Sequence, residues 1–347
     1  METLHNELLT VEVSDLGAEL QSIKDDEGKE YLWQGDDRYW GRRSPILFPI
    51  VCGLWKGTYR TEGDTYQMGR HGFARDMNFR VLKKADDRVT YVLSDTENTL
   101  RQYPYHFMLS VTYKLVENEI HVIWHVHNTD TREIHFQIGA HPAFYLPGVK
   151  EGEPIKGCLR FDRGDKIERI YGNHDGCITD DRYELEGCNG GLWAFNEESF
   201  KNDAVIIDKC QLREIEILDP QTARPAVTVS FNAPCVGIWT PYGKNAPFLC
   251  IEPWYGVHDH YEYRGQFRDK YLMNHLQPGA SFMNEGSIEE YIRNKHTTDN
   301  SFSYNIFQAS RVATRLSSFQ RTTATSSLYS VSTAWSSFFS AKARTAP

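Results

Sequence analysis

The chain has 347 residues, of which 38 are Lys or Arg and 47 are Asp or Glu, for a net charge of −9. Charged residues at 24% exclude wholesale disorder, and the length allows a large core without help from disulfides or metals. The acidic balance argues against nucleic-acid binding, and no stretch approaches the ~18 uninterrupted apolar residues of a membrane span.

In chain order, the residues read as short strands and turns. The segment Met1 to Leu9 carries Glu2, His5 and Glu7 and no apolar run, so no secretory signal is expected and a cytoplasmic protein is. Beyond the turn Asp25-Asp26-Glu27-Gly28 lie Trp33 and Trp40, then Gly41-Arg42-Arg43-Ser44-Pro45-Ile46-Leu47-Phe48-Pro49-Ile50. The prolines predict an edge or a loop packed on the core. Arg43 can fork two donors onto vicinal oxygens, whereas Arg42 reads as a solvated surface residue. In Gly69-Arg70-His71-Gly72-Phe73 the glycine after the histidine allows close backbone approach to a ligand. Taken alone, His71 reads as a structural histidine.

Val89 to Leu93 is a strand candidate. Met108 to Leu115 alternates, with Leu109, Val111, Tyr113 and Leu115 on one face; Glu119 to His127 repeats this with Ile120, Val122, Trp124 and Val126. The intervening Glu117-Asn118 predicts a hairpin. A strand over Ile134 to Ile138 leads into Gly139-Ala140-His141-Pro142, which puts His141 at a strand end, where sites are commonly assembled. Ala204 to Ile207, Ala226 to Phe231 and Val236 to Thr240 are further strands. In Phe248-Leu249-Cys250-Ile251-Glu252-Pro253-Trp254 one carboxylate follows four apolar residues. Such a group loses solvation, which raises its pKa, and Glu is rarely buried unless paired or used.

Many short strands without intervening helices predict an all-β protein, an antiparallel sandwich or barrel, as a single domain over 1–294. The remaining 53 residues hold 12 Ser, 8 Thr and six basic residues against one acid, Asp299. Such a segment buries too little apolar surface to offset chain entropy; composition favours a disordered tail over a regulatory or targeting one. The seven cysteines form no C-x-x-C pair and read as reduced, buried apolar side chains. The G-x-S-x-G, G-x-G-x-x-G, P-loop and H-E-x-x-H motifs are absent. The faces of Trp33, Trp40, Trp239, Trp254 and Tyr255 suit the apolar faces of a sugar.

The series S-P-I-L-F-P (44–49), H-G-F-A-R (71–75), G-A-H-P-A-F (139–144) and I-E-P-W (251–254) resembles the aldose 1-epimerase family over about residues 1–293. The resemblance implies a galactose mutarotase-like β-supersandwich and interconversion of aldose anomers without a cofactor or a metal. It implies His141 as general acid, Glu252 as general base and His71 as an assisting histidine. Arg43 and Asp203 would contact sugar hydroxyls, with Trp33 and Trp254 as further substrate-binding candidates. The sequence departs from the family pattern at Cys52-Gly53-Leu54, which bears on the pocket floor and the choice of sugar.

Three other readings compete. A metal-dependent cupin-like enzyme would use His125, His127 and Glu133, but Glu119 stands where its motif opens on glycine; strand alternation favours a polar solvent face for both histidines. A non-catalytic sugar-binding protein would not need an acid–base pair. A hexose 6-phosphate epimerase would need basic side chains at the pocket mouth, for which Arg42, Arg43, Arg70 and Arg75 are available.

Overall fold

Alternation sets the architecture. Leu109, Val111, Tyr113 and Leu115 on Phe107–Val116, and Ile120, Trp124 and Val126 on Glu119–Asn128, are all buried, because successive side chains of a strand point to opposite faces. The two strands pair antiparallel from Glu119↔Val116 to Asn128↔Phe107, and Glu117, at φ 53°, closes the hairpin. The computed structural model describes residues 1–164, 166–172 and 176–290, which fall within one unit, Met1–Ile292. The serine- and threonine-rich tail predicted from position 295 lies outside the described residues.

A ten-stranded sheet runs in the order Cys188–Asn189, Leu192–Asn196, Lys156–Phe161, Glu214–Leu218, Pro225–Ser230, Ser281–Glu290, Glu119–Asn128, Phe107–Val116, Arg88–Ser94, Arg80–Ala85. A second sheet runs Val205–Ile207, Cys235–Trp239, Phe248–Tyr255, Ile138–Ala140, Ile46–Leu47, with Ala143–Tyr145 also paired to Phe248–Tyr255. Val111, Trp124 and Ile288 from the first sheet and Ile138, Ile238 and Ile251 from the second share one buried apolar cluster. The fold is thus the all-β sandwich expected. Among the described residues the helical content is a single four-residue α-helix, Glu97–Leu100, and short 3-10 turns. No helix among the described residues is long and apolar enough to cross a membrane.

Four features depart from the sequence reading. The single strand expected over Ile134 to Ile138 is two: Ile134–Phe136 pairs with Asn274–Leu276, while Ile138–Ala140 enters the second sheet. The break falls at Gln137. It is fully buried; its Oε1 accepts from the Val51 N–H at 3.1 Å and its Nε2 donates to the Tyr271 carbonyl at 3.1 Å. A three-stranded sheet of Glu2–His5, Leu9–Val13 and Leu20–Asp25 precedes the first predicted strand. Phe248–Tyr255 runs straight through Pro253. Finally, Cys52, Cys177, Cys235 and Cys250 are buried as expected, but Cys158 and Cys188 are half-buried and Cys210 is exposed.

Candidate active site

The site is built where Phe248–Tyr255 changes partner. Ala143–Tyr145 pairs with its first half, with Ala143↔Cys250, and Ile138–Ala140 with its second half, with Gly139↔Trp254. Pro253, which has no N–H to donate, lies at the changeover. The two residues linking the short strands, His141 and Pro142, therefore lie across from Ile251 to Pro253, and the Ile251 N–H donates to the Pro142 carbonyl at 3.3 Å. This crossing brings the His141 Nε2 to 3.1 Å from the Glu252 Oε2. The two atoms are not aligned for a hydrogen bond, and Glu252 Oε2 has no other protein partner. Glu252 is 1% exposed and His141 7%, so the imidazole lies slightly nearer the surface than the carboxyl.

His71 enters from a strained loop. It has φ 68°, its N–H donates to the Cys52 carbonyl at 2.8 Å, and its Nδ1 accepts from the Cys52 N–H at 3.1 Å. In its neutral form His71 therefore carries its proton on Nε2. Gly72 follows at φ 70°, and a Cβ there would stand 2.2 Å from the Phe48 carbonyl oxygen, so only glycine fits. The ring centroids of His71 and His141 are 5.5 Å apart. At Cys52, where the sequence departs from the family pattern, the main chain thus clasps an imidazole.

Two half-buried indoles hold His141. Trp40 stacks on it with centroids 4.7 Å apart, and Trp239 meets it edge-on at 5.6 Å. Arg70 and Asp203 are partly exposed neighbours whose charges reach Glu252, with Arg70 Nη2 3.4 Å from Asp203 Oδ2 and 3.5 Å from His258 Nε2. Burial pushes the Glu252 carboxyl well above the usual range; the Asp203 charge adds to this and the Arg70 charge opposes it. Burial takes His141 down to about 3, helped by Arg75, Arg70 and Arg42. His71 is pushed well below its usual value, first by burial and then by the charge of His141. All three groups are thus driven toward their neutral forms.

The structure brings together His141, Glu252, His71 and Asp203 of the predicted residues and sets the Trp254 side chain against the Glu252 carboxyl, but it leaves Arg43 and Trp33 apart from them. Arg43 donates from its guanidinium to the Gln21 carbonyl, and its N–H donates to Glu19 Oε1; Arg42, Arg70 and Arg75 are the guanidiniums whose fields reach His141. Arg42 pairs with Asp76 at 2.7 Å rather than standing free in solvent. Trp254 is 1% exposed with Gly139 and Gly237 against its ring, so it offers no face to a ligand; its side chain instead acts on Glu252, holding the carboxyl's rise in check. Trp33 is buried among Tyr39, Tyr145 and Phe248, donating from its indole N–H to the Trp40 carbonyl at 2.8 Å. The cupin-like triad is not assembled: His127 Nδ1 contacts Ser281 Oγ at 2.9 Å, and Glu133 groups with other histidines. The donor atoms of His141, Cys250 and Glu252 lie within 4.8 Å of one another. A metal ion there would have to displace protons that burial holds on the thiol and the carboxyl.

The profile of the family described as Aldose 1-epimerase matches residues 2–158, a stretch that contains His71 and His141 and stops short of Asp203 and Glu252. The chain belongs to the aldose 1-epimerase family. Within it the chain is LacX-like: the chromosomal and plasmid LacX proteins of Lactococcus lactis subsp. lactis are each 32% identical over 286 residues, covering 79% of this chain and 94% of theirs. A galactose mutarotase related enzyme from Lactobacillus acidophilus is similar in structure, with 32% identity, a TM-score of 0.78, and coverage of 86% of this chain and 99% of that one. A galactose mutarotase-like protein from Lactobacillus casei has 28% identity and a TM-score of 0.79, covering 84% of this chain and all of that one.

Proposed function

We propose that the protein is a mutarotase that interconverts the α and β anomers of a hexose by acid–base ring opening. The observation that carries this reading is the approach of His141 Nε2 to Glu252 Oε2, 3.1 Å apart beside two half-buried indoles. Opening a hemiacetal requires a proton taken from O1 and another delivered to the ring oxygen. A positioned base and acid each contribute roughly 10²–10⁴-fold. In this reading Glu252 takes the O1 proton and His141 protonates the ring oxygen. The aldehyde carbon then rotates about its bond to C2, and the roles reverse on closure.

Burial favours the neutral pair, with the proton on Glu252 and none on His141. The charge-separated pair that the reaction uses carries the same single proton, moved from carboxyl to imidazole. Sugar hydroxyls favour that move by solvating the carboxylate, whereas the Arg70 charge acts on both ends, favouring the carboxylate and opposing the imidazolium. His71 donates from Nε2 to the open-chain oxygen, and Asp203 and Arg70 bind hydroxyls at the mouth. The test is polarimetry on freshly dissolved α-glucose and α-galactose. Glu252→Gln is expected to retain sugar binding and lose 10²-fold or more in rate; near-full activity in that variant overturns the assignment. A wild-type chain that binds sugar without speeding its mutarotation would instead be a binding protein.

One observation favours a phosphorylated substrate. Arg42, Arg70 and Arg75 all act on His141, while the carboxylates that pair with them are two, Asp76 and Asp203. On that reading KM for a hexose 6-phosphate falls well below that for the free sugar.

A further inference from the structure

Outside the acid–base site, a second set of donors converges on the strand pair that splits off at Gln137. Ile134–Phe136 and Asn274–Leu276 run antiparallel with His135 directly opposite His275. Residues opposite one another share a face, as do residues two apart on one strand, so Glu133, His135 and His275 lie on the same side. Their ligand atoms all fall within 4.8 Å of one another. The two Nδ1 atoms are 3.0 Å apart. Two imidazole lone pairs at that distance need either a proton on one ring or a cation between them. Two imidazole nitrogens bound tetrahedrally to zinc at about 2.0–2.1 Å stand roughly 3.4 Å apart, so a few tenths of an ångström of side-chain movement seats an ion. The carboxylate is already oriented: Glu133 Oε1 accepts from Gln277 Nε2 at 2.6 Å, the kind of outer support that metal ligands use. His135 is buried, with the Tyr105 ring edge-on at 5.8 Å, whereas His275 is exposed and gives an ion a path to solvent. The other charged groups whose fields reach His135 are Asp269 and Arg268, so with Glu133 the surroundings carry one net negative charge.

We propose that Glu133, His135 and His275 bind a divalent transition-metal ion of the zinc type, through two imidazole nitrogens and one carboxylate oxygen with a fourth position open. The ion clips Asn274–Leu276 to Ile134–Phe136. The adjoining Asn274 Nδ2 already donates to the Phe136 and Tyr255 carbonyls at 3.0 and 2.9 Å, so the clip bears on the end of the strand that carries Glu252. This inference is independent of the acid–base chemistry.

The test titrates the full chain with zinc chloride by calorimetry and with cobalt(II) chloride by visible absorption. One ion per chain is expected, with a cobalt spectrum of nitrogen and oxygen ligation and a rise in Tm on adding zinc. His275→Gln and Glu133→Gln, both at sites open enough to keep the fold, are each expected to weaken binding 10-fold or more and to abolish the Tm rise. Glu252→Gln is expected to bind as the wild type does. No binding, binding unchanged in both His275→Gln and Glu133→Gln, or binding lost in Glu252→Gln each overturns the proposal, the last by moving the ion to His141, Cys250 and Glu252.

Discussion

A carboxyl and an imidazole 3.1 Å apart and out of water are both driven by burial toward their neutral forms, which leaves one proton on the pair between the lowered His141 value and the raised Glu252 value. Burial lowers His141 to about 3 and raises Glu252. A second proton therefore joins the pair only in strong acid, as pH falls through the His141 value. The single proton leaves only when pH rises through the raised Glu252 value. Activity that requires one proton on the pair is then kept on acidification through the range where an ordinary imidazole gains its proton. We expect kcat/KM, corrected for the spontaneous reaction, not to fall as pH is lowered through that range to about 5; half-loss on acidification near 6.5 would mean that His141 is solvated and titrates normally. The pair was legible in sequence because each member sits against glycine or proline in an apolar run, which marks a side chain held at a strand end. The partition among the tryptophans and arginines was not. Trp40 stacks on His141 while Trp254 is buried against Gly139 and Gly237, and Arg70 finds its partner 133 residues away at Asp203.

Among the elements, Phe248–Tyr255 decides the geometry. Its flank is packed to the limit: a Cβ on Gly237 would stand 2.4 Å from the Trp254 ring, and one on Gly139 2.8 Å from it. Gly237→Ala must push the indole or the strand aside, at a cost of about 1–3 kcal/mol. Because Glu252 pairs directly with Gly237, the same shift displaces the carboxyl. We expect urea denaturation to show the lower midpoint and polarimetry a reduced rate; an unchanged midpoint would mean that the sheet accommodates the methyl freely. Strand existence was readable from alternation, as the hairpin of Phe107–Val116 and Glu119–Asn128 illustrates. The switch at Gln137 was not, because it depends on bonds to Val51 and Tyr271, far apart in sequence. The passage through Pro253 escaped for a similar reason: a proline argues against a strand unless the neighbour happens to change there.

For the whole molecule, the domain boundary is an expectation drawn from composition. A chain ending at residue 294 keeps every described strand, since the last of them is Ser281–Glu290. We expect it to match the full chain in denaturation midpoint and in mutarotation rate; aggregation or a clear loss of stability would show that the segment from 295 onward supports the fold. That last strand does not sit at an edge. It lies between Pro225–Ser230 and Glu119–Asn128, with Gly286 opposite Val122 and Ser287 opposite Ser230. During synthesis, then, two halves of the large sheet exist before the piece that joins them. Until position 290 has left the ribosome, both inner borders carry bare amide and carbonyl groups, which invite pairing with other nascent chains. Productive folding must wait for the late strand, and shielding of those borders by chaperones during the wait should govern the yield of soluble protein.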